Sequence, residues 1–327
     1  LELMQRVQLI SGSLRQLLPA DYPEALAILL AAMGDDDGSG GVEGYDGFRH
    51  LPFLHFVERH GLEHAQLSLD ALQHMTRYFS AEFAIRPYLV RYPDMTLARV
   101  RSWARDADWR LRRLASEGCR PRLPWGIRLP AFIRDPGPCL EILELLRADP
   151  HPVVRRSVAN HLNDIAKDHP DRVVATAVRW AEGAGAETLA LLRHGLRTLI
   201  KQGHAEALRL LGFSGGEGLQ VVSFQLQPAE VPWGGTLNVA AQLHCTEAAH
   251  LSIDYGIHHL RQNGSHSVKV FKGIRERVAA GETVWFRTSH SFRAISTRRY
   301  YPGRHRLEVL INGRVVCGED FVLQESF

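Results

Sequence analysis

The chain has 327 residues and a net charge of only +3, enough length for two domains that each bury a core. No run of about 18 apolar residues is present and Leu1–Leu18 carries polar residues throughout, so neither a membrane span nor a signal-peptide core is expected, and the chain reads as soluble and cytoplasmic. Cys119, Cys139, Cys245 and Cys317 lack CxxC spacing, which excludes a zinc ribbon; four free thiols are expected, with a Cys245–Cys317 bridge as the alternative.

The modest net charge hides an uneven distribution. Of 39 basic residues 35 are Arg and 4 are Lys; ten Arg lie between Arg99 and Arg134 against three carboxylates, and eleven Arg or Lys lie between Arg261 and Arg306 against two. Such concentrations attract polyanions, although a single basic run is as readily a solvated face.

Up to about Leu211 the apolar residues recur at helical spacing, as in YPEALAILLAAM, LEILELLRAD and DRVVATAVRWAEG. One acidic, glycine-rich interruption, Gly34–Gly47, predicts a mobile loop without chemistry. The helical half also repeats itself. DADWRLRRLASEG (Asp106–Gly118) aligns with DPHPVVRRSVANH (Asp149–His161) at an offset of 43 residues, pairing Asp106 with Asp149 and Arg112-Arg113 with Arg155-Arg156. That period is the mark of HEAT-like helical pairs stacked into an α-solenoid with a concave surface.

The first repeat runs into RRLASEGCRPRLPWGIRLP. Its helix ends near Gly118, leaving Glu117 in the last turn among Arg113, Arg120 and Arg122, where a carboxylate opposes the helix dipole. An Arg113–Glu117 ion pair at i,i+4 is the plain reading; a carboxylate kept for chemistry on a phosphate-binding face is the other. Trp125 follows in a Pro-rich turn, as a core residue or as a ring pressed against a nucleoside.

In the second repeat Val154, Val158, Leu162 and Ile165 bury one helix face. Arg156, Asn160, Asn163 and Lys167 form another stripe, made of donors only, which suits phosphate oxygens. A later helix, LALLRHGLRTLIKQG, sets Arg193, Arg197 and Lys201 at successive i+4 positions, where an external anion would relieve their repulsion. Two such stripes describe a surface for a nucleic-acid backbone.

After GFSGGEG (Gly212–Gly218) the pattern alternates as in strands, and Asn312-Gly313 signals a hairpin turn. Six or seven short strands fit an immunoglobulin-like β-sandwich. The expected domains are therefore 1–212, helical, and 219–327, strand-rich. Seventeen His include His161 and His258-His259, but no HExxH motif, so no metal is expected.

RRLASEGCRPRLPWG, VRRSVANHLNDIAKDHPD and LRHGLRTLIKQG, with RRYYPGRHRLEVLING in the strand-rich half, resemble the bacterial HEAT-like alkylpurine DNA glycosylases of the AlkC type. The likeness covers nearly the whole chain except Gly34–Gly47. It implies a HEAT-like α-solenoid followed by an immunoglobulin-like β-sandwich. The activity it implies is hydrolysis of the N-glycosidic bond of cationic N3-alkylated bases, 3-methyladenine and 3-methylcytosine, in duplex DNA, without cofactor; a monomer is the default expectation, because one chain can encircle a duplex. Glu117 is then the expected catalytic carboxylate and Asp164 the second choice. The lesion stays near the stack, consistent with the lack of an aromatic-pocket motif. Lys269, Lys272, Arg275, Arg298 and Arg299 would touch DNA from the second domain. A non-catalytic HEAT-like scaffold that binds DNA or acidic protein is the competing reading.

Overall fold

The computed structural model describes residues 2–34, 46–214, 218–296 and 298–325. All but the ends of the expected acidic loop, Gly34–Gly47, lies outside the described residues. Contacts divide the chain into two compact units, Leu1–Leu196 and Arg197–Phe327.

The first unit is helical. In order come α1 (Leu3–Leu17), α2 (Tyr22–Met33), α3 (Leu51–His60), α4 (Ala65–Met75), α5 (Arg86–Arg91) and α6 (Pro93–Trp103). They are followed by α7 (Trp109–Glu117), α8 (Pro130–Arg134), α9 (Gly137–Leu146), α10 (Pro152–Ile165), α11 (Pro170–Ala181) and α12 (Ala186–Gly195). Val154, Val158, Leu162 and Ile165 are all buried, as the helical spacing predicts. No described helix is long and apolar enough to cross a membrane.

The 43-residue repeat has a physical counterpart. Asp106 Oδ1 accepts the Asp108 amide at 2.8 Å, and Asp149 Oδ1 accepts the His151 amide at 2.8 Å. Arg112 Nη1 donates to the carbonyls of Asp106 and Ala107, at 3.0 and 2.8 Å; Arg155 Nη1 donates to those of Asp149 and Pro150, both at 2.7 Å. Arg112 also grips Asp149 with Nε and Nη2, at 2.6 and 3.1 Å, and so ties one repeat to the next. An Asp before each helix and an Arg in its first turn therefore close the same ring of hydrogen bonds twice.

The second unit opens with two short helices, α13 (Arg197–Lys201) and α14 (Ala205–Leu210), then eight strands. These are β1 (Leu219–Gln227), β2 (Glu230–Val231), β3 (Thr236–Cys245), β4 (Ala249–Leu260), β5 (His266–Val278), β6 (Thr283–Ser291), β7 (Gly303–Ile311) and β8 (Arg314–Leu323). They form a three-stranded sheet, β1-β3-β6, and a five-stranded sheet, β2-β8-β7-β4-β5, whose apolar residues share one core. Asn312 (φ 48°) and Gly313 (φ 76°) make the hairpin turn between β7 and β8.

The sequence sets the domain limits at 212 and 219, whereas the contacts divide the chain after Leu196. Two glycines supply a reason. A Cβ on Gly313 would stand 2.0 Å from the Gly203 Cα, so the turn between α13 and α14 lies backbone to backbone on the β7–β8 hairpin. The helix expected through Arg193, Arg197 and Lys201 is likewise broken at Leu196, where α12 ends and α13 begins.

Candidate active site

The last turn of α7 and the middle of α10 bring polar groups together at the end of two buried apolar faces. Ser116 and Glu117 close α7, while Ser157, His161 and Asp164 follow one another at i, i+4 and i+7 on α10, all of them buried. α7 ends at Glu117, and Gly118 keeps helical dihedrals; its missing side chain matters because a Cβ would lie 2.8 Å from Ile85 Cγ2.

Arg120 stands between the carboxylates. Its Nη1 donates to Glu117 Oε1, and its Nε donates to Asp164 Oδ2 at 2.8 Å. Ser157 Oγ donates to Glu117 Oε2 at 2.5 Å and lies 2.9 Å from Ser116 Oγ. Lys167 Nζ donates to Asp164 Oδ1 at 2.9 Å. Glu117 is 5% exposed and Asp164 2%. Burial works against the Arg120 charge, but the two carboxylates outweigh it and hold the guanidinium above its ordinary value. His161, behind them, is pushed down to about 3 by burial and by Arg120, so it stays neutral at physiological pH.

A buried arginine shapes the loop that carries Arg120. Arg86 donates from Nε to the Ile127 carbonyl at 2.7 Å and from Nη1 to the Gly118 carbonyl at 2.9 Å, clamping both ends of that loop. Burial lowers it to about 10, still charged at neutral pH. At the tip, Trp125 has φ 64° and is 86% exposed, so it is not a core residue.

Glu117 and Arg120 also form part of the wall of an open cavity of about 320 Å³. The rest of its lining is largely aromatic or aliphatic, with Leu3, Phe48, Phe79, Phe83, Leu123 and Trp125, beside Ser80, Glu82 and Arg113. No aromatic-pocket motif is visible in the sequence because these rings come from segments far apart along the chain.

The remaining basic residues fall into two groups. Arg113 does not pair with Glu117; its Nη1 donates to Glu82 Oε2 and Ser80 Oγ, both at 2.7 Å. Arg122 grips Asp168 through Nε and Nη2 at 2.9 and 2.8 Å. Asn163 is buried and Asn160 half-buried against His194 Nε2 at 3.1 Å, so the α10 stripe exposes only Arg156 and Lys167. Arg193 is exposed on α12. Among the described residues no group of three or more His, Cys, Asp or Glu is placed to hold a metal, and all four cysteines are free.

A family model described as DNA alkylation repair enzyme matches residues 63–179, which contain the site, and one described as the C-terminal Ig-like domain of the uncharacterised protein YhaZ matches residues 220–325. The Bacillus subtilis (strain 168) protein YhaZ, described as uncharacterised, is 36% identical over 98% of this chain and 87% of its own length. The Pseudomonas fluorescens alkylpurine DNA glycosylase AlkC, solved bound to DNA containing an abasic site analog, is 37% identical, with a TM-score of 0.89 over 99% of this chain and 89% of that one. The chain belongs to the AlkC family of DNA repair glycosylases.

Sequence reasoning missed three elements of this AlkC-family site. Ser157 is detectable only as the residue seven positions before Asp164 on the same helix face. Arg86 has no local signal at all, because its partners lie at Gly118 and Ile127. Glu82 is recognisable only as the partner of Arg113. In the strand-rich unit Lys269 and Lys272 are exposed on β5, Arg298 is half-buried and Arg299 is exposed. Arg275 differs: it is engaged with the buried Asp254, Nη1 to Oδ1 at 3.0 Å and Nη2 to Oδ2 at 3.2 Å, and it also lies over the Phe213 ring.

Proposed function

We propose that the chain is a monofunctional, monomeric and cytoplasmic glycosylase that removes cationic N3-alkylated bases, 3-methyladenine and 3-methylcytosine, from duplex DNA. The observation that carries this reading is the pair of buried carboxylates, Glu117 and Asp164, held by one guanidinium, with Glu117 at the wall of an open cavity.

The chemistry fits these groups. N3 alkylation leaves the base positively charged, so the C1′–N bond breaks with its electron pair going to the base, which departs neutral. The sugar left behind is oxocarbenium-like, and a fixed carboxylate stabilises it more than water does. Water adds to C1′ and passes its proton to a carboxylate acting as general base. We assign the stabilising and basic role to Glu117 and keep Asp164 as the second candidate. No amine nucleophile is required.

The repeated Asp–Arg hydrogen bonding supports a HEAT-like stack for the catalytic domain, 1–212, and two sheets over one core support an immunoglobulin-like sandwich for 219–327. Arg113, Arg120, Arg122, Trp125, Arg156, Lys167, Arg193, Arg197 and Lys201 are our DNA-binding set in the first domain; Asn163, buried, and Asn160, half-buried against His194, are withdrawn from it. Lys269, Lys272, Arg298 and Arg299 are that of the second. Arg113, Arg120 and Arg122 act there with their carboxylate partners, as fixed cations rather than free ones.

The test is to incubate the protein with methylated genomic DNA and identify the released bases by mass spectrometry. Release of 3-methyladenine that is lost in Glu117→Gln or Asp164→Asn supports the reading and assigns the carboxylate. Tight DNA binding with no base release would leave a non-catalytic scaffold.

A further inference from the structure

The open cavity beside Glu117 has a composition that phosphate binding does not explain. Its charged wall groups are already paired inside the protein: Arg113 with Glu82, and Arg120 with Glu117 and Asp164. Apart from Ser80, what remains of the lining is apolar, with four aromatic rings, Phe48, Phe79, Phe83 and Trp125, among aliphatic side chains that include Leu3 and Leu123. Phe48 and Phe79 pack with ring centroids 5.1 Å apart, while Leu3 and Trp125 are 42% and 86% exposed. Exposed apolar surface around a concavity marks a ligand site more often than a folding need. Its volume, about 320 Å³, falls at the lower end of small-molecule pockets, which run from roughly 300 to 1,000 Å³.

The chemistry of the damaged base says what can reach it. In an N3-alkylated adenine a single ring atom separates N3 from the glycosidic nitrogen; in an N3-alkylated cytosine the same is true. A carboxylate close enough to act at C1′ is therefore a neighbour of the N3 substituent. Glu117 is both the proposed catalytic group and part of the cavity wall. A substituent on N3 can enter the cavity while the base itself stays near the stack. The aromatic rings in its lining also suit the positive charge that alkylation leaves on the base.

We propose that this cavity is a pocket for the N3 substituent, and that the chain accordingly releases adenines carrying apolar N3 groups larger than methyl. The proposal rests on the glycosylase reading and adds a size and polarity preference to it. Burial of each added methylene in an apolar site offsets the steric cost of a larger group, whereas a site without such a pocket would lose rate steeply with size.

The experiment uses the full chain and three DNA samples, treated with methylating, ethylating and benzylating agents. Released 3-methyladenine, 3-ethyladenine and 3-benzyladenine are quantified by mass spectrometry after subtraction of uncatalysed loss. We expect 3-benzyladenine to be released within about tenfold of the 3-methyladenine rate. Two filling variants, Phe83→Trp and Leu3→Trp, should each lower the ratio of benzyl to methyl release at least tenfold, and Leu3 is exposed enough that the second should fold. Release of 3-methyladenine without 3-benzyladenine overturns the pocket and leaves the glycosylase reading standing. An unchanged ratio in both variants also overturns it. Release of neither base overturns the glycosylase reading on which it stands.

Discussion

Glu117 on α7 and Asp164 on α10 are joined through a single side chain, the Arg120 guanidinium, which donates to both. Two carboxylates and a guanidinium share a space almost closed to solvent, and Lys167 reaches in from the surface to Asp164. Removing a buried counter-charge leaves the other charges uncompensated, which costs about 3–5 kcal/mol. Arg120→Ala should therefore lower the unfolding free energy by that amount. In a Glu117→Gln background the same substitution should cost less, because only one carboxylate is then left without its partner. Chemical denaturation of the four proteins in this double-mutant cycle measures the coupling; additive losses would mean that Arg120 is not the link.

Glu117→Gln keeps the shape of the side chain and the oxygen that accepts from Arg120 while removing its charge, and Ser157 Oγ turns from donor to acceptor of the new amide N–H. Loss of one preorganised electrostatic group typically costs about 10²–10³ in rate. Single-turnover release of 3-methyladenine should fall by that factor, with DNA affinity unchanged or higher, since the variant removes a negative charge that would repel the DNA backbone. An equal or greater fall in Asp164→Asn, with Glu117→Gln nearly intact, would exchange their roles.

Much of this architecture is legible in the sequence, and the reason is locality. The buried face of α10 follows from Val154, Val158, Leu162 and Ile165, and the β7–β8 turn from Asn312-Gly313. The repeat is legible because Asp106/Arg112 and Asp149/Arg155 satisfy their partners within six residues. What escapes is long-range. The Arg86 clamp, the Arg113–Glu82 pair and the aromatic wall join segments that no spacing rule connects. The exposure of the α10 stripe escapes for a related reason: helical spacing fixes which residues share a face but not what covers it, and Asn163 is covered.

The Arg86 clamp makes its own prediction. Arg86→Met would leave the Gly118 and Ile127 carbonyls without their donor, at about 1–3 kcal/mol for the buried Gly118 acceptor and less for that of the half-exposed Ile127. The loop between them carries Arg120, Arg122 and Trp125. Limited proteolysis should therefore cut Arg86→Met between Gly118 and Arg128 well before the wild type, and base release should fall although Glu117 and the side chains that hydrogen-bond it are unchanged. Protection equal to the wild type would show that the loop holds itself.

Buried histidines set the acid stability. Burial pushes His259 and His161 down to about 3, and His290 to about 4. Their unfolded value lies near 6.5. Between about pH 6.5 and 4 the unfolded chain binds these protons and the folded chain does not, so stability is fully present above 6.5 and is lost as pH falls through that window. Each histidine contributes a slope of up to about 1.4 kcal/mol per pH unit. In the strand-rich unit His259 is surrounded by Phe292, Tyr300 and His305, with Arg298 and Lys269 adding to the cost of charging it. His259→Phe should flatten the dependence of Tm on pH in this window, and an unaltered slope would mean that His259 is solvated in solution.

Exposed and paired arginines should differ on DNA. Arg156 and Arg193 are exposed, and among the described residues neither makes an ion pair, whereas Arg122 is gripped by both oxygens of Asp168. A cation that neutralises a phosphate releases a counterion, and each such contact contributes about 0.9 to the slope of log affinity against log salt on duplex DNA. Arg156→Ala and Arg193→Ala should each reduce that slope by about one. Arg122→Ala should change it less, because its charge is already balanced and removing it also leaves Asp168 to repel the backbone. Its affinity loss should therefore be partly restored by adding Asp168→Asn, a rescue that neither of the other two positions should show. Binding isotherms at several salt concentrations separate these outcomes, and equal slopes for all three variants would place them on one indistinct basic surface.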